Sequence, residues 1–191
     1  MSDINIMKLK GLAMYPKLQP GKYDTKFEET WTVDVLLDKE GLKEAKAAKL
    51  RIKKTHIKDG EAVVKYAGMF EGYDGSYIKL KRSVKDFKGI ERDPPKLIDS
   101  KLQPIGPRVE IGNGSLINAQ FIVKADDAET VKKYGGFGTF LLGVQVLKLV
   151  AYEGRAADPE KEFVEEDGEE LSGSSDFVAT DDLDEVFGKP A

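Results

Sequence analysis

The residues best suited to chemistry lie in 71–84, E-G-Y-D-G-S-Y-I-K-L-K-R-S-V. Gly72, Asp74 and Gly75 form a turn cluster, and the run that follows alternates with period two. On a strand that alternation points Tyr77, Lys79 and Lys81 to one face and Ile78 and Leu80 to the other. An outward row of ring and ammonium groups suits single-stranded nucleic acid, because the ring stacks on any base while the lysines neutralise phosphates. Arg82 extends the basic row, and Tyr73 and Phe70 stand just upstream as further candidate stacking rings. An ordinary strand with a solvated basic face has the same pattern, so the rest of the chain has to separate the two readings.

Other chemistry finds less support. The 191 residues contain no cysteine, which excludes disulfides, a cysteine nucleophile and thiolate zinc sites. His56 is the single histidine, and without a second one nearby it is read as neither metal ligand nor catalyst. The acids Asp34, Asp59, Glu71, Asp74, Asp86, Asp99 and Glu110 lack the spacing of a metal-dependent nuclease site. No catalytic residue, metal or cofactor is therefore expected. The G-N-G-S of 112–115 contains G-x-G but leads into a strand pattern, not the helix whose N-terminus would hold a phosphate.

The net charge of -4 conceals a division at residue 152. Residues 153–191 carry 14 acidic and 3 basic side chains, a net of -11, against a net of +7 for residues 1–152. The basic body should attract polyanions, and the acidic end should compete with them for the same surface. The acid-rich run 165–170, Ser172-Gly173-Ser174-Ser175 and few apolar residues predict a disordered tail over 153–191. Within it Phe177, Leu183, Val186 and Phe187 form a candidate partner-binding motif. No stretch approaches the eighteen apolar residues of a membrane span, and the N-terminus has no signal-peptide pattern, so a soluble cytoplasmic protein is expected.

The elements that must position these residues read mainly as strands. Residues 4–15 form a first strand with a bend at Gly11, on which Lys8 and Lys10 share one face and extend the basic surface. In 27–37, Trp31, Val33, Val35 and Leu37 recur every second residue. Trp31 is the only tryptophan and a candidate stacking platform, but its aliphatic neighbours on that face favour a core role. Asp38 is a candidate N-cap for a helix over 40–54, whose late basic residues, Arg51 and Lys53 among them, suit a helix C-terminus. Further strands are expected at 96–100, 117–123 and 139–152, with a short helix at 128–134. Five or six strands with one or two helices make a mainly β chain and fit an OB-fold, a five-stranded Greek-key barrel, over 1–152. In that barrel the middle strands and connecting loops bind single strands, which would bring the Tyr77–Lys81 face beside Lys124 and Phe137.

Four stretches carry a resemblance: T-W-T-V-D-V-L-L (30–37), K-L-I-D-S-K (96–101), I-G-N-G-S-L-I-N-A-Q-F (111–121) and G-V-Q-V-L-K-L-V (143–150). With the acidic tail that follows, the chain resembles the single-stranded DNA-binding proteins of phage replication systems, of the T-seven type. The resemblance implies an oligonucleotide-binding barrel that coats single-stranded DNA, without strong sequence preference, during replication and recombination in the infected host's cytoplasm. It also implies an acidic tail that recruits replication proteins, such as a polymerase or helicase, and shields the groove. Tails of that family typically end on an aromatic residue, whereas here Phe187 is followed by Gly188-Lys189-Pro190-Ala191. A metal-dependent nuclease and an RNA-binding or protein-binding barrel stay open as alternatives, and so does a homodimer.

Overall fold

The computed structural model describes residues 5–25 and 28–151; the tail, with Phe177, Leu183, Val186 and Phe187, lies outside them. Alternating apolar residues set the long strands, and turn residues separate them. In chain order the elements are β1 (Ile6–Lys17), β2 (Thr30–Leu36), α1 (Lys39–Ala47), β3 (Ile52–Lys53), β4 (Thr55–Lys58) and β5 (Glu61–Val64). They continue with β6 (Tyr77–Ser83), β7 (Lys96–Asp99), β8 (Ser115–Val123), α2 (Ala128–Tyr134) and β9 (Thr139–Lys148). No described helix is long and apolar enough to cross a membrane.

The main sheet runs β3-β6-β2-β1-β8-β9-β7, antiparallel throughout except for β7 beside β9. β1 serves two partners: Ile6–Ala13 pairs with β8 and Leu12–Lys17 with β2. At the crossover Gly11 lies against β2, where a Cβ would come within 2.4 Å of the Leu36 carbonyl oxygen. Strands β6 and β9, the ends of the run β6-β2-β1-β8-β9 within that sheet, approach each other and close the curl. There Thr139 Oγ1 donates to the Lys79 carbonyl (3.5 Å) and Arg82 Nη1 to the Leu141 carbonyl (3.4 Å). The order β6-β2-β1-β8-β9 with this closure is the Greek-key barrel of an OB-fold. β7 and the separate β4–β5 hairpin are additions to it.

The interior is filled by the residues that alternation points inward. Leu9, Ala13, Val33, Val35, Leu37, Ile78, Leu80, Ile117, Ala119, Phe121, Leu141, Val144 and Val146 form one cluster. Each such aliphatic side chain contributes about 1.5–3 kcal/mol when fully buried. A second cluster lies on the outer side of β1, β2 and β6, where Leu12, Met14, Leu36 and Tyr77 meet Tyr66, with Phe70 and Tyr73 half-buried around them. The segment between β5 and β6 supplies that cover at the Leu36 end of β2, while Thr30 and Thr32 at its other end form the buried floor of a cleft.

The helix after β2 begins as expected but ends early. Asp38 caps it, its Oδ1 accepting from the Gly41 amide at 2.8 Å, yet the helix stops at Ala47, not at residue 54. Lys49 turns to φ +52°, Leu50 enters the core, and Ile52–Lys53 leaves the helix to pair with β6. Burial of Leu50 and a sheet edge in need of a partner outweigh local helix propensity here. The basic residues assigned to a helix end are thereby moved onto the barrel wall.

Phe137 is fixed by the same turn. Its amide donates to the Lys49 carbonyl (2.8 Å) and its carbonyl accepts from the Arg51 amide (3.2 Å). The close approach requires Gly136, at φ +147°, where a Cβ would lie 2.6 Å from the Leu50 carbonyl carbon and oxygen. Gly136→Ala should therefore cost about 1–3 kcal/mol, the usual penalty of forced overpacking, read as a lower urea midpoint. An unchanged midpoint would mean that this backbone contact can relax freely.

Candidate nucleic-acid interface

The outer face of β2 and β6 is divided in two. One half lies under the second hydrophobic cluster; the other is open. Thr30 and Thr32 of β2 and Lys79, Lys81 and Ser83 of β6 line the open half, in the register Thr30↔Ser83 and Thr32↔Lys81. Lys53 of β3 stands opposite Tyr77 and diagonal to Lys79. The turn around α2 and the start of β9 form the facing wall, with Lys124, Phe137, Gly138, Thr139 and Phe140. Together they enclose a cleft of about 350 Å³, with Arg51 at one side and Asp24 and Glu28 among its lining residues.

Its electrostatics follow from the strand spacing. Arg51 is engaged: its guanidinium meets Asp126 at 2.5 Å, donates to the Gly136 carbonyl and lies over the Tyr134 ring. Lys53, Lys79, Lys81 and Lys124 have no ion-pair partner among the described residues. Burial, and then the charges of Lys81 and Lys79, hold the Lys53 ammonium below the ordinary lysine value. Four ammonium groups thus share the cleft with the carboxylates of Asp24 and Glu28.

The border of the open half is set at Asp34. This carboxylate is 4 % exposed and accepts from Lys65 Nζ at 2.7 Å and from the Tyr66 hydroxyl at 2.6 Å. The Lys65 ammonium in turn lies 4.9, 5.1 and 5.6 Å from the ring centres of Tyr66, Tyr77 and Tyr15. Burial and the bond to Asp34 push the Tyr66 phenol far up, so it stays a donor.

Of the residues singled out in the sequence, Lys79 and Lys81 lie in the cleft, and Tyr77 shares their face as the alternation predicts. Tyr77 is nevertheless not an outward ring. It is 5 % exposed, edge-on to Tyr66 at 5.0 Å, because the segment before β6 folds over it. Phe70 and Tyr73 belong to that cover and pack against it. Trp31 is core: 2 % exposed, its Nε1 donating to the Gln19 carbonyl. Arg82 borders the cleft with its guanidinium over the Phe140 ring and bonded to the Asp93 and Leu141 carbonyls. Lys8 and Lys10 are exposed on β1 opposite Gln120 and Asn118, away from the cleft lining.

Lys53 and Phe140 enter the site without having been singled out, Lys53 because it was read as helix. The signal for Phe140 was its place next to Thr139 at the start of a strand, facing away from Leu141. Among the described residues no three His, Asp or Glu side chains converge on a potential metal site.

The lowered Lys53 makes a checkable statement. Where the folded ammonium holds its proton less tightly than the unfolded one, the unfolded chain binds more protons and stability rises with pH. The window runs from the lowered value up to the ordinary 10.5. Lys53 should titrate below that value by side-chain NMR, and Lys81→Ala should move it upward. A Lys53 midpoint indifferent to Lys81→Ala would remove the like-charge coupling.

No family model matches the chain, and no curated protein matches it. Among solved structures, the single-stranded DNA-binding protein from bacteriophage Enc34 in complex with ssDNA is similar at 16% identity and a TM-score of 0.50, covering 78% of this chain and 90% of that one. A second structure of the Enc34 protein has 15% identity, a TM-score of 0.49 and coverage of 82% and 90%. For gp2.5, a single-stranded DNA-binding protein encoded by bacteriophage T7, the values are 18%, 0.47, and 87% and 98%. At such identities the likeness is one of fold: the chain shares the barrel of the Enc34 single-stranded DNA-binding protein.

Proposed function

We propose that the chain is a non-enzymatic single-stranded DNA-binding protein of the phage kind, which coats DNA during replication and recombination in the host cytoplasm. The observation that carries this reading is the set of ammonium groups without an ion-pair partner among the described residues, Lys53, Lys79, Lys81 and Lys124, gathered in one cleft with Phe137 and Phe140. A phosphate chain that follows the lysines relieves their mutual repulsion and releases counterions. Phe137, half-buried against the core, and Phe140, beside the Arg82 and Arg92 guanidiniums, are the rings on which bases would stack, and stacking of that kind carries little sequence preference. The Enc34 protein, whose barrel the chain shares, is described in complex with ssDNA, which supports the same ligand here.

The segment 153–191, at a net -11, is tethered to a body of net +7. It acts as an internal competitor for the cleft, at high effective concentration, and the competition fades as salt screens it. DNA that displaces it frees Phe177, Leu183, Val186 and Phe187 for a replication protein such as a polymerase or helicase.

A salt series of oligonucleotide affinities tests both parts. About four phosphate contacts give a log–log slope of roughly -3, at about -0.7 per contact, and Lys79→Ala or Lys81→Ala should each shallow it by about 0.7. Removing residues 153–191 should tighten binding at low salt and change it less at high salt. A slope near zero, or tighter binding to duplex, contradicts the cleft; equal affinities at the lowest salt contradict the competing tail.

A further inference from the structure

The most exposed aromatic ring among the described residues belongs to Phe87, 90 % exposed at the tip of the turn that follows β6. The turn is built to hold the ring out. Arg92 donates its amide to the Val84 carbonyl (2.7 Å), Asp86 to that of Ile90 (2.8 Å), and Gly89 to that of Asp86 (3.0 Å). The Asp86 carboxylate accepts from the Lys88 and Ile90 amides at 2.8 and 2.9 Å, which closes the tip without using Phe87. Arg92 ties the base, its Nη1 donating to the Ser83 and Lys85 carbonyls. A large ring on an ordered turn, left in water, is a candidate contact.

We propose that Phe87 is a second stacking platform, on which bases of single-stranded DNA leaving the cleft are seated. The inference rests on the cleft reading above and extends it. Continuity supports it: Phe87 stands four residues beyond Ser83, which lines the cleft, so at most ~14 Å of chain separates them. The guanidiniums of Arg82 and Arg92 both lie over Phe140, at 5.2 and 5.5 Å, and supply positive charge between cleft and tip. Lys88 lies 5.5 Å from the Phe87 ring centre, and Lys85, two residues before Phe87 in the chain, is 3.9 Å from Glu29. Glu91 is exposed nearby, while the Asp86 carboxylate is occupied by backbone amides. A single exposed ring with a lysine beside it fits alternating bases and phosphates, whereas the centres of protein interfaces are depleted of such charges.

The test uses the full chain and two oligonucleotide lengths, ~4 and ~16 nucleotides, the range that one such barrel covers. Phe87→Ala should leave affinity for the short strand unchanged and weaken the long one about tenfold. Phe87→Trp should report the long strand by quenching of the new indole, and the short one not at all. Lys79→Ala with Lys81→Ala should weaken both lengths. If that pair loses nothing, the cleft reading fails, whatever Phe87 does. If Phe87→Ala weakens neither length, or both equally, the second platform is excluded. A change in sedimentation of Phe87→Ala with no length-dependent loss would assign the ring to a contact between copies of this chain instead.

Discussion

Asp34 is the carboxylate on which the candidate site depends. The β2–β6 register sets it opposite Lys79, and left to itself it would neutralise that lysine. The segment before β6 supplies Lys65 and Tyr66, which occupy the Asp34 oxygen instead. A carboxylate this buried keeps its charge when it is paired and hydrogen-bonded, and removing one partner of such a pair is strongly destabilising. The cation for that pairing is Lys65, outside the cleft lining, and Lys79 has no ion-pair partner among the described residues. The same interaction anchors the cover over Tyr77 and ends the cleft there.

Like charges on neighbouring strands normally weaken a sheet. Here the barrel fixes them by its backbone: β3 on β6 brings Lys53 near Lys79 and Lys81, and the Gly136–Phe137 turn on Leu50 holds the facing wall. Burial, and after it the charges of Lys81 and Lys79, lower Lys53. Under the proposed function a polyanion would reverse that cost, and bases stacked at Phe137 and Phe140 would add what phosphate contacts alone lack. Fold, charge and candidate ligand are thus linked through the strand register.

Much of this was legible in the sequence where local pattern decides. Period-two alternation identified β2, β6 and β8 and the shared face of Tyr77, Lys79 and Lys81, and a long apolar run identified β9. Asp38 and the helix over Ala128–Tyr134 were read correctly because capping is local. The cover on Tyr77 was not legible, since it depends on Tyr66 folding back from eleven residues upstream. The early end of α1 was hidden for a similar reason: helix-forming residues continue past Ala47, and only the pull on Leu50 turns the chain. The β4–β5 hairpin did leave a signal, Asp59-Gly60 at φ +52° and +84°, the pair that a two-residue turn favours.

Photo-crosslinking bears most directly on the cleft as the DNA site. A single-stranded oligonucleotide carrying a photoreactive base, bound to the full chain and irradiated, yields adducts that mass spectrometry assigns to peptides. The account predicts crosslinks at Phe137 or Phe140, lost when Lys79 and Lys81 are both replaced by alanine. Crosslinks confined to the Lys8–Lys10 face of β1, with none in the peptide carrying Phe137 and Phe140, would contradict it.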